Sequence, residues 1–162
     1  MKRKAAEKLF DLIYTDAMTG VCNRTAYEEQ IKRLKRKNIR LDNITVVVIK
    51  VDDLNEINYT LGNRTGDEVV KHMADCIIQT IGEKANIYRM GDDEFLCIAD
   101  NDVMPYISEL RDLISFEGKG KPYPFYASIG YMTFDNRKHK NIDDLIKDCD
   151  RKMIKSRKAE LM

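Results

Sequence analysis

No apolar run in this chain is long enough to cross a membrane. The longest, "ITVVVI" at residues 44–49, falls far short of the ~20 residues that a spanning helix needs. The opening "MKRKAAEKLFDLIYTD" is basic, but it has neither an apolar h-region nor a small-residue cleavage pattern, so it does not read as a signal peptide. A cytoplasmic location is therefore expected. An excess of one charge is also missing. Lys and Arg number 28 against 27 Asp and Glu, which gives no electrostatic reason to expect nucleic acid or a membrane surface as a partner. There is no C-x-x-C pair. Cys22, Cys76, Cys97 and Cys149 are far apart and read as reduced thiols filling a core. With two distant histidines, no zinc-ligand set is in view. Internal repeats and low-complexity tracts are absent as well.

What remains is a chain of 162 residues, a length that suits one domain with one substantial core. Residues 3–14 place Leu9, Leu12 and Ile13 on one side of a short amphipathic helix. "TDAMTGVCN" follows as a loop. Thr25 and Glu28 have capping-box spacing, and Tyr27, Ile31 and Leu34 then recur at helical period. "NITVVVIKV" is the strongest strand, and its β-branched run predicts a central position buried on both faces. "DDLNEINYTLGNRTGD" reads as irregular or briefly helical. Thr65 and Glu68 form a second capping-box pattern, ahead of a stripe of Val69, Val70, Met73, Ala74, Ile77, Ile78 and Ile81. "NIYR" and "EFLCIA" are the arms of a hairpin, "DVMPYISELRDLI" a helix with Pro105 in its first turn, and "FYASIGYMTF" a strand. A last helix starts near Asn141 and carries Ile142, Leu145, Ile146, Cys149 and Met153. The fold class implied is α+β: a central, mostly antiparallel sheet flanked by helices. In such a layer the exit of the "VVVIK" strand lies beside the hairpin tip.

The hairpin tip is the oddest stretch. "RMGDDEF" puts Asp92, Asp93 and Glu94 side by side, where like charges raise one another's energy. Either water screens them or a cation sits among them, a metal or a lysine. Standing alone, such a turn is most simply a solvated acidic surface.

Five fragments, taken in order, resemble GGDEF domains, the diguanylate cyclases. "DAMTGVCNR" is similar to D-x-L-T-G-L-x-N-R, and "INYTLGNRTGDEVV" to I-N-D-x-x-G-H-x-x-G-D-x-x-L. "RMGDDEF" stands where R-Y-G-G-D-E-F is expected, "ASIGY" resembles the S-I-G strand, and "DDLIKDCDRKMIKSRK" resembles the family's last helix. The resemblance runs from about residue 10 to 160. It implies a palm-like nucleotide-cyclase fold. Residues 1–14 would then be an N-terminal signalling or linker helix and residues 15–162 the GGDEF-like domain. It further implies a bacterial signalling protein in which two GTP molecules become cyclic di-GMP across a homodimer, with an N-terminal sensor domain in the full-length chain. Two divalent ions, Mg²⁺ in this setting, would assist the attack of one GTP's 3′ hydroxyl on the other's α-phosphate.

The resemblance assigns roles to particular residues. Asn58 and Asp67 match the two that hydrogen-bond guanine, which offers both donors and acceptors on its edges. Read without the motif, Asp67 is an acid favouring a helix N-terminus and Asn58 a loop residue. Asp93 and Glu94 match the acids that hold the metal and assist deprotonation, since Mg²⁺ requires hard oxygen ligands. Arg157 stands where the last helix offers a Lys to the phosphates.

Three positions depart from the pattern. Lys50 occupies the place of the first metal-binding Asp, eight residues before Asn58, and an ammonium repels Mg²⁺ instead of binding it. Asp92 replaces the second Gly of the signature, adding bulk and negative charge where a phosphate approaches the backbone. Asn55 replaces the phosphate-loop Lys. The R-x-x-D product-inhibition motif is absent too, its positions being Gly82 and Ala85. The joint departure at Lys50 and Asp92 suggests that Lys50 is the cation among the three acids, in place of a metal; the simpler alternative is a lysine snorkelling to solvent. The leading expectation is thus a degenerate, catalytically impaired GGDEF domain acting as a regulatory, GTP-binding module, with Mg²⁺ accompanying the nucleotide or no cofactor at all. An active cyclase that recruits Asp52 or Asp53 as metal ligand is one alternative, and a dimerisation scaffold that binds no nucleotide is another.

Overall fold

A computed structural model describes residues 1–161; Met162, the end of the expected second segment, lies outside the described residues. The order is α1 (Lys2–Tyr14), α2 (Arg24–Leu34), β1 (Thr45–Val51), α3 (Leu54–Leu61), α4 (Asn63–Ile81), β2 (Ala85–Arg89), β3 (Glu94–Ala99), α5 (Met104–Glu117), β4 (Ala127–Thr133) and α6 (Ile142–Leu161). The four strands make one antiparallel sheet in the order β2-β3-β1-β4.

The β-branched run of β1 is central, with a neighbour on each side and helices over both faces. Val47, Ile49 and Val51 point into a core shared with Phe95, Cys97 and Ile129 and covered by α3, α4 and α5. Val46 and Val48 point the other way, into a core with Leu96 and Ile98 beneath α2 and α6. A strand buried on both faces has no polar face to alternate with, hence its continuous apolar sequence. Cys76, Cys97 and Cys149 are buried free thiols, as expected of core fillers, and Cys22 is half-buried. Burial pushes the Cys97 thiol up to about 12, which keeps it protonated and inert.

Local signals were superseded at three places. The cap of α2 is Asn23, whose side chain accepts from the Ala26 N–H at 3.0 Å, so Thr25 already lies inside the helix. The cause is tertiary: Cys22 pairs with the sheet edge, its N–H donating to the Ile87 carbonyl and its carbonyl accepting from the Arg89 N–H, and the chain turns into α2 directly after it. Thr65 is likewise no cap. The segment before it forms α3 and then turns at Gly62 (φ 92°) straight into α4, where the Thr65 hydroxyl donates back to the Leu61 carbonyl. Within the α4 stripe, Ile78 is exposed while Cys76 is buried.

Candidate functional site

The register of the sheet sets out the site. At the end of the central strand, Lys50 pairs with Glu94 on β3 and with Ser128 on β4. One residue on, the Val51 N–H donates to the Asp93 carbonyl at 2.7 Å. The exit of β1 therefore lies against the hairpin turn. Lys50, Glu94 and Ser128 share a sheet face with Val48 and Leu96, the face that α6 covers.

The three acids of the turn have separate surroundings. Asp92 is exposed. Asp93 is half-buried, and its Oδ2 lies 4.0 Å from the Lys50 ammonium. Glu94 points under α6 toward Asp150, and burial, then Asp150, then Asp93 push its carboxyl above the usual range against the pull of Lys50 and Arg24. Asp150 is raised too, by burial. The negative charge of Asp150 thus adds to burial in disfavouring the charged form of Glu94.

The turn's backbone is clamped by arginines. Arg89 donates from Nε to the Gly91 carbonyl (3.2 Å) and from Nη2 to that of Asp92 (3.3 Å), and Arg24 donates to that of Met90 (3.2 Å). Arg89 also pairs with Asp16 at 3.2 Å, and Asp16 in turn accepts from the N–H and hydroxyl of Thr19. Burial raises the Asp16 carboxyl, but the Thr19 donors and Arg89 outweigh it and hold the group below the usual carboxylate range. The motif fragments that carry Asp16, Arg24 and Arg89 were visible in the sequence. The clamp they form was not, because its partners are main-chain carbonyls, which a sequence does not mark.

A second ionic group follows β1. Asp53 takes the left-handed conformation (φ 58°) that turns the chain into α3, a conformation Asp adopts more readily than most residues. Asp52 is buried, and its Oδ1 accepts from Ser128 Oγ at 2.7 Å and from Arg157 Nη1 at 3.2 Å. Arg157 Nη2 donates to Asp53 Oδ1 at 2.6 Å. Arg157, a residue expected to face phosphate, is thus held by two aspartates. Of the remaining expected residues, Asn58 is half-buried on α3, and Asp67 is exposed near the start of α4. Their helices pack together at Gly66, where a Cβ would collide with Asn58 Oδ1.

A divalent ion fits this arrangement poorly. Among the described residues no group of three or more His, Cys, Asp or Glu side chains is placed to hold a metal. Asp93 has the Lys50 ammonium 4.0 Å away.

The chain matches the family model described as diguanylate cyclase, GGDEF domain, over residues 13–161. It is 28% identical over 89 residues to the diguanylate cyclase DgcS of Shewanella oneidensis, covering 54% of this chain and 30% of that one. It is 28% identical over 142 residues to the cyclic di-GMP phosphodiesterase PdeB of the same organism, covering 83% of this chain and 16% of that one. The chain therefore spans less than a third of the length of these curated relatives. A crystal structure of the coiled coil and GGDEF domain of DgcB from Caulobacter crescentus, in complex with c-di-GMP, superposes with a TM-score of 0.82 at 20% identity, covering 97% of this chain and 87% of that one. An α+β sheet with this strand order, matched along nearly its whole length, has the fold of that GGDEF domain. The chain belongs to the GGDEF family.

Proposed function

We propose that this is a GGDEF domain without cyclase activity, a regulatory module in cyclic di-GMP signalling that takes a guanine nucleotide through Asn58 and Asp67. The observation that carries this reading is the Lys50 ammonium 4.0 Å from Asp93. A cyclase of this family needs an acid at position 50 to bring a metal to the reacting phosphate. Losing that ligand and adding a positive charge each removes several kcal/mol of transition-state stabilisation, where ~1.4 kcal/mol is already tenfold in rate. Recruitment of Asp52 or Asp53 as substitute ligands is opposed by their partners, because Arg157 already pairs with one oxygen of each carboxylate and Ser128 donates to that of Asp52. Arg157 is already paired with two carboxylates, which offset its charge toward a triphosphate.

In this reading residues 1–14 link the domain to a preceding sensor domain, the assembly acts as a homodimer in the cytoplasm, and neither nucleic acid nor membrane contacts the domain. The test is incubation of a dimeric form, enforced by a fused coiled coil, with GTP and Mg²⁺, followed by chromatography of the products. No cyclic di-GMP is expected, while GTP titrated by calorimetry binds, and binding is lost on replacing Asn58 and Asp67 together by Ala. Product formation at a rate typical of enzymes, ~1 s⁻¹ or faster, would refute the reading. Absence of any nucleotide binding would favour the scaffold instead, for which the exposed Leu9, Phe10 and Leu12 of α1 supply a surface.

A further inference from the structure

We infer that the domain takes its guanine nucleotide free of any divalent ion, with the Lys50 ammonium serving as the cation that meets the phosphates. This inference rests on the nucleotide reading above and adds to it the form of the ligand: uncomplexed guanosine triphosphate in place of its Mg²⁺ complex.

The character of the Lys50 contact is what points there. An ammonium locked into a structural role is hydrogen-bonded to its acids and buried with them. Lys50 is neither. Its side chain is 40% exposed, that of Asp93 is 33% exposed, and their 4.0 Å separation is an ion pair at its outer limit. Among the described residues Nζ makes no hydrogen bond. All three of its N–H donors are therefore available, on a flexible four-carbon stem, at the mouth of the site. By contrast Arg157, the other cation beside the end of β1, is already anchored by hydrogen bonds to Asp52 and Asp53. Among the described residues Lys50 is thus the one of these two cations with no hydrogen bond to give up to an incoming phosphate oxygen.

The same geometry works against a metal. Mg²⁺ demands six oxygen ligands at ~2.0–2.1 Å in near-ideal octahedral order. Here Asp93 already has a positive charge beside it, and Glu94 is turned under α6 toward Asp150. A divalent ion brought in on the nucleotide would meet the ammonium at the place where it needs oxygen. Mg²⁺ in solution should then compete with Lys50 for the triphosphate and weaken binding.

Calorimetric titration of GTP into the domain, first in EDTA and then in excess Mg²⁺, tests this directly. Binding in EDTA is expected to be at least as tight as in Mg²⁺. Lys50→Met should weaken GTP binding about tenfold in EDTA, the effect of one charge-assisted contact, and leave guanosine binding within about twofold. Lys50→Asp should bind GTP only when Mg²⁺ is present. Wild-type binding that strengthens about fivefold or more with Mg²⁺ overturns the metal-free inference and leaves the nucleotide reading standing. Equal losses of GTP and guanosine in Lys50→Met overturn the phosphate role alone. Absence of GTP binding in both conditions overturns the inference and the nucleotide reading together. Because the comparison of EDTA with Mg²⁺ uses the unaltered protein, the outcome does not depend on how well the variants fold.

Discussion

At the residue scale, the contact between Gly66 and Asn58 ties a residue proposed to read guanine to a packing constraint. A methyl group at residue 66 would collide with the Asn58 side-chain oxygen, whereas the Leu54 methyl behind it stands at 3.4 Å, an ordinary contact. The colliding atom is the end of a flexible amide, so the collision is relieved by a turn of the Asn58 side chain and not by movement of a helix. Gly66→Ala should therefore change stability little and binding a great deal. The expected outcome is a thermal midpoint within a few degrees of wild type, and a GTP affinity lower by about tenfold, the worth of one well-made hydrogen bond. Calorimetry beside a melting curve checks both. A large fall in the melting temperature would show that α3 and α4 had been pushed apart, and an unchanged affinity would remove Asn58 from the nucleotide site. The acids at 92–94 teach a related point. They are adjacent in sequence and similar in chemistry, yet one faces water, one a lysine and one another carboxyl.

At the scale of elements, α6 and β4 are brought into close contact by a missing side chain. Gly130 lies on the α6 face of β4, beside Val48 on the central strand. A Cβ there would run into the backbone of α6 itself, at the Cys149 carbonyl and the Met153 nitrogen. Backbone cannot rotate away as the Asn58 amide can. Gly130→Ala should lift α6 from the sheet and cost about 1–3 kcal/mol, at roughly 2–4 °C of melting temperature per kcal/mol for a chain of this size. Thermal unfolding measures it, and a midpoint unchanged within about 1 °C would show that the helix has slack at this point. α6 also carries Asp150 to Glu94 and Arg157 to Asp52 and Asp53, so GTP binding should weaken in the same variant. The caps belong to this scale as well. Thr25 and Thr65 had the right residue types at the right spacing, but where α2 starts was decided by the pairing of Cys22 with the sheet edge, and where α4 starts by the turn at Gly62.

At the scale of the whole molecule, α1 stands apart from the rest. None of its residues is buried, and Leu9, Phe10, Leu12 and Ile13 are exposed. It is joined to the domain mainly at its last turn, where Asn23 Nδ2 donates to the Ile13 carbonyl and the Tyr14 hydroxyl to Glu29. A helix that buries nothing contributes little to the folding free energy of its domain. Deleting residues 1–10 should shift the melting temperature by no more than about 2 °C, the range of a change of a few tenths of a kcal/mol, and leave GTP binding unaltered. Scanning calorimetry of the shortened chain decides this, and a loss of cooperative unfolding would show that α1 belongs to the domain and is not a linker.

The sequence by itself determined the layer architecture, the central position of β1, the hairpin and the family, because these depend on periodicity and on motifs whose order survives substitution. It also placed a lysine at the exit of the central strand, at position 50. Tertiary structure alone decided what that lysine meets. Whether Lys50 reaches Asp93, Asp92 or open water depends on the register of β1 against β3, and whether Arg157 is free or bound depends on where the far end of α6 lands on the β1–α3 turn. Ionic contacts between residues more than a hundred positions apart in the chain, such as Arg157 and Asp52, leave no local pattern. Their strength falls with distance and with exposure to water, and neither quantity exists until the chain has folded.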